Sequence, residues 1–352
     1  MKLSDYTLSL LADIENRIDP GIEEDFLRQW EDFWSGNCKD IIFRAKRKKI
    51  VTAGVEPRRI LMNDAIDDYE LMLDRELATV SDRLASETAA LGVRASYGTG
   101  IMTSLFGAEI FMMDREKNML PTTKSLNDTD AMHRIVEAGM PDLLNGFGKK
   151  VFEMGELFAE VFRDYPKIQK YVQIYHPDTQ GPLDIAELLW GSEMFYAMYD
   201  EPEFVHDAIR LITDTYKSFL DKWFAMIPYQ KMNVHFNWMH PGKILIRNDS
   251  AVNLSPELYD EFAFPYDNEL LDYYDGGCVH FCGRGDHYID RLTTAKKLYG
   301  INMSQPHLNN MEIIYAAMLR NGKKFVGMYK AGCEAYEKRA DAVPGIMNHQ
   351  DL

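Results

Sequence analysis

Four cysteines in 352 residues, Cys38, Cys278, Cys282 and Cys333, are too few and too unevenly spaced for a disulfide framework. The thiols are expected to be reduced and available to a metal. Basic residues are also scarce: 39 lysines and arginines face 55 aspartates and glutamates, for a formal net charge of -16. Such a surface repels phosphate backbones and anionic membranes, so nucleic acid is not an expected partner. No stretch reaches the roughly 20 apolar residues that a bilayer span requires. The apolar start of the chain is broken by Asp13 and Glu15, unlike a secretory signal, and a cytoplasmic location away from membranes is the expectation. There is no Pro-rich or Ser/Gly-rich linker and no repeat of fixed period, which favours one structural domain.

What is present is an ordinary globular composition, with 46% hydrophobic and 27% charged residues. One basic run, Arg44, Lys46, Arg47, Lys48, Lys49, Arg58 and Arg59, reads as a solvated face, with reception of an anionic ligand as the alternative. Residues 1–90 read as an N-terminal helical segment packed on the main body, with an apolar stripe through Phe26, Trp30, Phe33 and Trp34 and a charged helix over about 67–91.

From about residue 91 the pattern changes to short apolar runs alternating with amphipathic helices. A helix opens at Asp200-Glu-Pro-Glu203, and its apolar positions Val205, Ile209, Ile212, Tyr216, Phe219 and Trp223 follow helical spacing. Ser255-Pro256-Glu257 opens another, and a third runs from Asn310 to Gly322. Between them Met232 to Phe236, Ile244 to Arg247, Cys278 to Cys282, Tyr299 to Met303 and Phe325 to Tyr329 read as strands. Strand, loop and helix in alternation predict a parallel sheet with helices outside. A doubly wound sheet has the same local pattern, but no Gly-rich phosphate loop follows the first strand and the chemically interesting residues follow several different strands. The expected fold is an α/β TIM barrel over 91–352, of (β/α)8 type, with an incomplete or irregular last strand.

The segment Gly277-Cys278-Val279-His280-Phe281-Cys282-Gly283-Arg284-Gly285 holds half of the cysteines on a strand that ends in glycines. Side chains alternate along a strand, so Cys278, His280 and Cys282 share a face, with neighbours roughly 6.5 Å apart at Cα. His280 and Cys282 can converge on one zinc ion, whereas Cys278 is too far from Cys282 to join them. A buried thiol beside a hydrogen-bonded imidazole is the alternative, and residue types alone leave both open.

This strand end resembles the His-x-Cys-Gly zinc motif of the corrinoid-linked branch of the uroporphyrinogen decarboxylase superfamily, which includes methylcobalamin:coenzyme M methyltransferases. Tyr97-Gly98-Thr99-Gly100, Ser104-Leu-Phe-Gly107, Asp178-Thr-Gln-Gly-Pro-Leu-Asp184, Asn248-Asp249-Ser250, Asp286-His287-Tyr288 and Ser304-Gln-Pro306 extend the likeness over about 90–330. The resemblance implies a barrel with zinc at its mouth on His280 and Cys282. A cysteine nearer the carboxyl end completes the ligands in that family, and Cys333 is the candidate here, although the family cysteine follows a last strand that this sequence does not clearly contain. The implied activity is methyl transfer or demethylation with a corrinoid protein as partner, a small-molecule methyl donor, and a zinc-activated thiolate as acceptor. By analogy with the decarboxylases the chain would form a homodimer.

True decarboxylases meet substrate carboxylates with an early Arg-Gln-Ala-Gly-Arg motif that is missing here. A lyase acting on a tetrapyrrole or small acidic substrate remains a rival within the fold, and a non-catalytic binding barrel a rival outside it. Asp178, Asp249 and His287 are the further catalytic candidates, and Gln180, Tyr97 and Arg284 the substrate-binding ones; helix capping by the acids is the plainer reading. Tyr97 with Phe106 would wall a flat ligand, whereas His235 and His240 read as core histidines.

Overall fold

The computed structural model describes residues 2–348. Its longest helix, Pro202–Met226, follows the expected apolar spacing: Val205, Ile209, Ile212, Tyr216, Phe219 and Trp223 are all fully buried. Each such side chain contributes roughly 1.5–3 kcal/mol. Asp200 ends the preceding helix, Glu193–Asp200, and Glu201 takes the N-cap position, one residue later than the sequence suggests.

Twelve short strands are present among the described residues: β1 (Ile42–Phe43), β2 (Gly92–Val93), β3 (Ile110–Phe111), β4 (Thr122–Thr123), β5 (Gln173–Ile174), β6 (Met232–His235), β7 (Trp238–Pro241), β8 (Ile244–Arg247), β9 (Gly277–Phe281), β10 (Leu298–Met303), β11 (Lys324–Met328) and β12 (Ile346–Asn348). Six of them form one sheet in the order β1-β12-β11-β10-β9-β8, and every neighbouring pair is parallel. β2 and β5 form a separate parallel pair. Parallel neighbours need a return path, and the helices Phe264–Tyr273, Ile289–Leu292, Met311–Asn321 and Lys330–Glu337 lie in the four connections between successive strands from β8 to β12.

No ladder among the described residues joins the six-stranded sheet to the β2–β5 pair. Side chains bridge part of that interval. The Gln173 amide donates to the Met232 carbonyl at 2.7 Å and accepts from the Val234 N–H at 2.8 Å. The Leu245 N–H of β8 donates to His176 Nε2 at 3.0 Å.

Two features depart from the sequence reading. Met232–His235 is not a parallel strand; it turns back antiparallel onto β7, with His235 opposite Trp238 across a two-residue loop. The last strand was the unclear part of the pattern, and β12 fills it, pairing with β11 on one side and β1 on the other. Strand β1 lies within residues 1–90, so the N-terminal segment contributes to the sheet as well as its helices.

Arg47, at the centre of the basic run, is buried. Its guanidinium forms a two-pronged pair with Glu23 at 2.7 and 3.0 Å and donates to the Ser86 and Ala89 carbonyls. The run is therefore partly a structural tie between the N-terminal helices and the loop before β2.

Candidate metal centre and active site

The carboxyl ends of β8, β9 and β10 converge. Arg247 ends β8 and Asp249 follows two residues later; His280 lies in β9 with Cys282 just beyond it; Asn302 lies in β10 with Ser304 just beyond it. The parallel register places Asn302 directly beside His280. Asp249, two residues past β8, meets His280 at the end of β9 and Cys282 one residue beyond it.

Asp249, His280 and Cys282 each offer a ligand atom, and these atoms lie within 4.8 Å of one another. Cys282 Sγ is 3.5 Å from His280 Nε2, and Asp249 Oδ1 is 3.9 Å from the same nitrogen. Tetrahedral zinc, with bonds of about 2.0–2.3 Å, places its nitrogen, sulfur and oxygen ligands roughly 3.4–3.6 Å apart. The donor set and spacing therefore fit zinc, with little movement needed.

The tautomer of His280 follows from its neighbours. Asn302 Nδ2 donates to the Val326 carbonyl at 2.6 Å, which turns Asn302 Oδ1 toward His280. His280 Nδ1–H donates to that oxygen at 2.5 Å. Nε2 is left with its lone pair facing Cys282 and Asp249, the arrangement that a metal-binding imidazole requires. Burial also holds His280 below its ordinary pKa, which keeps the ring neutral.

Burial raises the Cys282 thiol, partly offset by the Ser304 hydroxyl at 3.4 Å and reinforced by Asp249. The environment thus favours the thiol over the thiolate, and a bound cation would displace its proton. Asp249 is anchored twice: its carboxylate accepts from the Cys282 N–H at 2.6 Å, and its own N–H donates to Asp184 Oδ2 at 2.9 Å. Asp184 also accepts from the Ser250 N–H at 2.7 Å. Burial, with Asp249 nearby, pushes the Asp184 carboxyl up to about 7.

A cavity of about 770 Å³ opens beside His280, lined also by Asn302, Ser304, Arg94, Tyr175 and Phe236. Phe236 has φ +50, unusual for a bulky side chain, and the tight β6–β7 turn forces it. Its ring lies 5.7 Å from the His280 ring, and the Arg247 guanidinium sits 4.9 Å from its centroid. The sequence gives no sign of this contact, because an aromatic in a hairpin turn has no periodic signature.

The other predicted residues separate into groups. Asp178 accepts from Arg94 at 3.4 Å and lies 3.0 Å from Arg247, with the Gln180 amide donating to its second oxygen. Since Arg94 lines the cavity and Arg247 faces Phe236, Asp178 and Gln180 act on the cavity wall through arginines. Arg284 donates to Asp286 at 2.7 Å, and Asp286 accepts from the Asn310 N–H. His287 Nε2–H donates to the Leu254 carbonyl at 2.9 Å. Tyr97 is fully buried against Phe147 and is not part of the cavity lining.

Cys333 lies on the helix Lys330–Glu337, buried, with Asn348 Nδ2 donating to its sulfur at 3.4 Å; it is outside the group formed by Asp249, His280 and Cys282. The sequence placed Asp249 among catalytic candidates and not among ligands, because nothing in the primary structure shows that β8 and β9 are neighbours in register.

His235 and His240 are buried core residues, as read from the sequence. His240 Nδ1–H donates to the Pro241 carbonyl, leaving Nε2 to accept from His235 Nδ1 at 3.3 Å. Burial holds His176, His235 and His240 neutral, with His240 lowered to about 4 and His176 to about 3.

No helix among the described residues is long and apolar enough to cross a membrane. No protein-family profile and no curated protein sequence matches the chain. Among solved structures it is similar to a methyltransferase from Methanosarcina mazei, with a TM-score of 0.62 and 15% sequence identity over 93% of each chain. At that identity the shared property is the fold: an α/β architecture built on a parallel sheet of at least six strands.

Proposed function

We propose that this protein is a zinc-dependent methyltransferase that acts with a corrinoid protein and uses a small-molecule thiol as methyl acceptor. The observation that carries the reading is the group Asp249, His280 and Cys282, of which His280 lines the cavity and is tautomerically fixed by Asn302. The fold shared with a methyltransferase supports it. In the same reading the six-stranded sheet and the β2–β5 pair are parts of one barrel, and residues 1–90 complete it as a helical wrap around 91–352.

His280, Cys282 and Asp249 would hold the ion. When bound, zinc lowers the pKa of a thiol that approaches it, so that a thiolate is available at neutral pH. The chain's own residues do the rest. Asn302 keeps the His280 proton on Nδ1; Asp184 fixes Asp249 through its backbone; Phe236 and Tyr175 give the cavity an apolar wall. Asp178, held by Gln180, positions Arg94 and Arg247 beside that wall. His287 and Arg284 brace the loop after β9, and Tyr97 supports the core behind β2.

Two measurements test the reading together. Purified protein should contain close to one zinc per chain, and should transfer the methyl group of methylcobalamin to a thiol, read by the change in corrinoid absorbance. Absence of zinc after reconstitution would sink the metal assignment. Zinc-loaded protein that transfers no methyl to any of a panel of small thiols would sink the reaction.

A further inference from the structure

A second large cavity, of about 680 Å³, lies at the opposite ends of the strands from His280. Leu298 and Lys324 begin β10 and β11, Met232 begins β6, and all three line it. Four lysines, Lys231, Lys296, Lys323 and Lys324, face two carboxylates, Glu31 and Asp32, and the indole of Trp34 and the phenol of Tyr299 form part of the wall. On a chain of net charge -16 this is an inverted patch.

The pairing of these lysines is incomplete. Lys231 meets Glu31 at 3.0 Å on the rim. Lys323 donates to the carbonyls of Ala295 and Leu298 at 2.7 and 2.8 Å, which satisfies two hydrogens but neutralises no charge. The Lys324 ammonium sits 4.7 Å from the centroid of the Phe33 ring. Neither Lys323 nor Lys324 forms an ion pair with a carboxylate among the described residues, and both are half-buried, where burial disfavours the charged form.

We propose that this cavity binds a phosphorylated small molecule, with Lys296, Lys323 and Lys324 as the cationic contacts. Lysine is a compact point charge with freely turning donors, suited to a phosphate that arrives from solvent. The volume lies in the range of small-ligand sites, about 300–1,000 Å³. The site is independent of the metal centre, since the two cavities share no residue.

The probe is pyrophosphate, titrated by calorimetry into the full-length protein. Saturable one-to-one binding is expected, weakened at least tenfold in Lys324→Met and kept within about threefold in Lys324→Arg. Thermal melts of both variants establish that they fold. In a second measurement, pyrophosphate should protect Lys324 from reductive methylation followed by mass spectrometry, which requires no variant. No saturable binding, binding undiminished by Lys324→Met, or unprotected Lys324 at saturating pyrophosphate would each overturn the assignment.

Discussion

His280 and Asn302 stand side by side in register on adjacent parallel strands, and the 2.5 Å hydrogen bond between them decides which imidazole nitrogen is left to face Cys282 and Asp249. If that bond serves metal binding, its loss should be visible in affinity while the fold remains. Asn302→Leu is expected to weaken zinc binding roughly 10- to 100-fold, the usual effect of removing such a supporting bond. Competition against a chromogenic chelator measures it. Unchanged affinity would show that the ring is held by something else.

The third ligand can be decided by substitution. Asp249→Ala and Cys282→Ala should each lower the zinc content of reconstituted protein well below that of the parent, whereas Cys333→Ala should leave it unchanged, since Cys333 lies outside the group. The reverse pattern, with zinc lost on Cys333→Ala alone, would restore the ligand set implied by the sequence resemblance.

That contrast marks how far the sequence could be read. His280 and Cys282 were legible as neighbours because residues two apart at an extended strand end have a known separation, although β9 itself stops at Phe281. The strands β9, β10 and β11 were legible as short apolar runs, to within about one residue, and the helix Pro202–Met226 was legible from the spacing of its apolar positions. Asp249 reads as a catalytic candidate and not as a ligand, and Asn302 and Phe236 do not read as site residues at all, since these placements depend on which strands are neighbours. β1 and β2 have two residues each, too short for any alternation to register, and Met232–His235 reads like a parallel strand until its partner is known.

The histidine cluster makes a pH prediction with a definite sign. His240 has a folded pKa lowered to about 4 against about 6.5 unfolded, so its contribution is present above pH 6.5 and is lost as pH falls toward 4. Buried acids work the other way: Asp184, raised to about 7, favours the folded state as pH falls. Overall stability therefore mixes both, and His240→Gln removes the His240 titration together with its contact to His235. Between pH 6.5 and 5 the parent should lose about 2 kcal/mol relative to His240→Gln. Urea denaturation at the two pH values measures the difference, and a constant gap would refute the assignment.

Glu23 and Arg47 give a stability prediction. Both are buried, and Glu23→Ala leaves a guanidinium without its counter-charge, at a cost of about 3–5 kcal/mol. Chemical denaturation should report that loss. A loss below about 1 kcal/mol would mean that the Ser86 and Ala89 carbonyls suffice for Arg47.

The pairing of Ile42 with Ile346 sets a timetable for synthesis. β1 leaves the ribosome well before β12, its hydrogen-bonding partner, is made. At about 5–20 residues per second, that strand waits roughly 15 to 60 s with its edge unmatched. Met347 and Asn348, which line the cavity beside His280, arrive at the same moment. The cavity beside His280 and the outer edge of the sheet are thus finished by one event, and a nascent chain lacking β12 has neither.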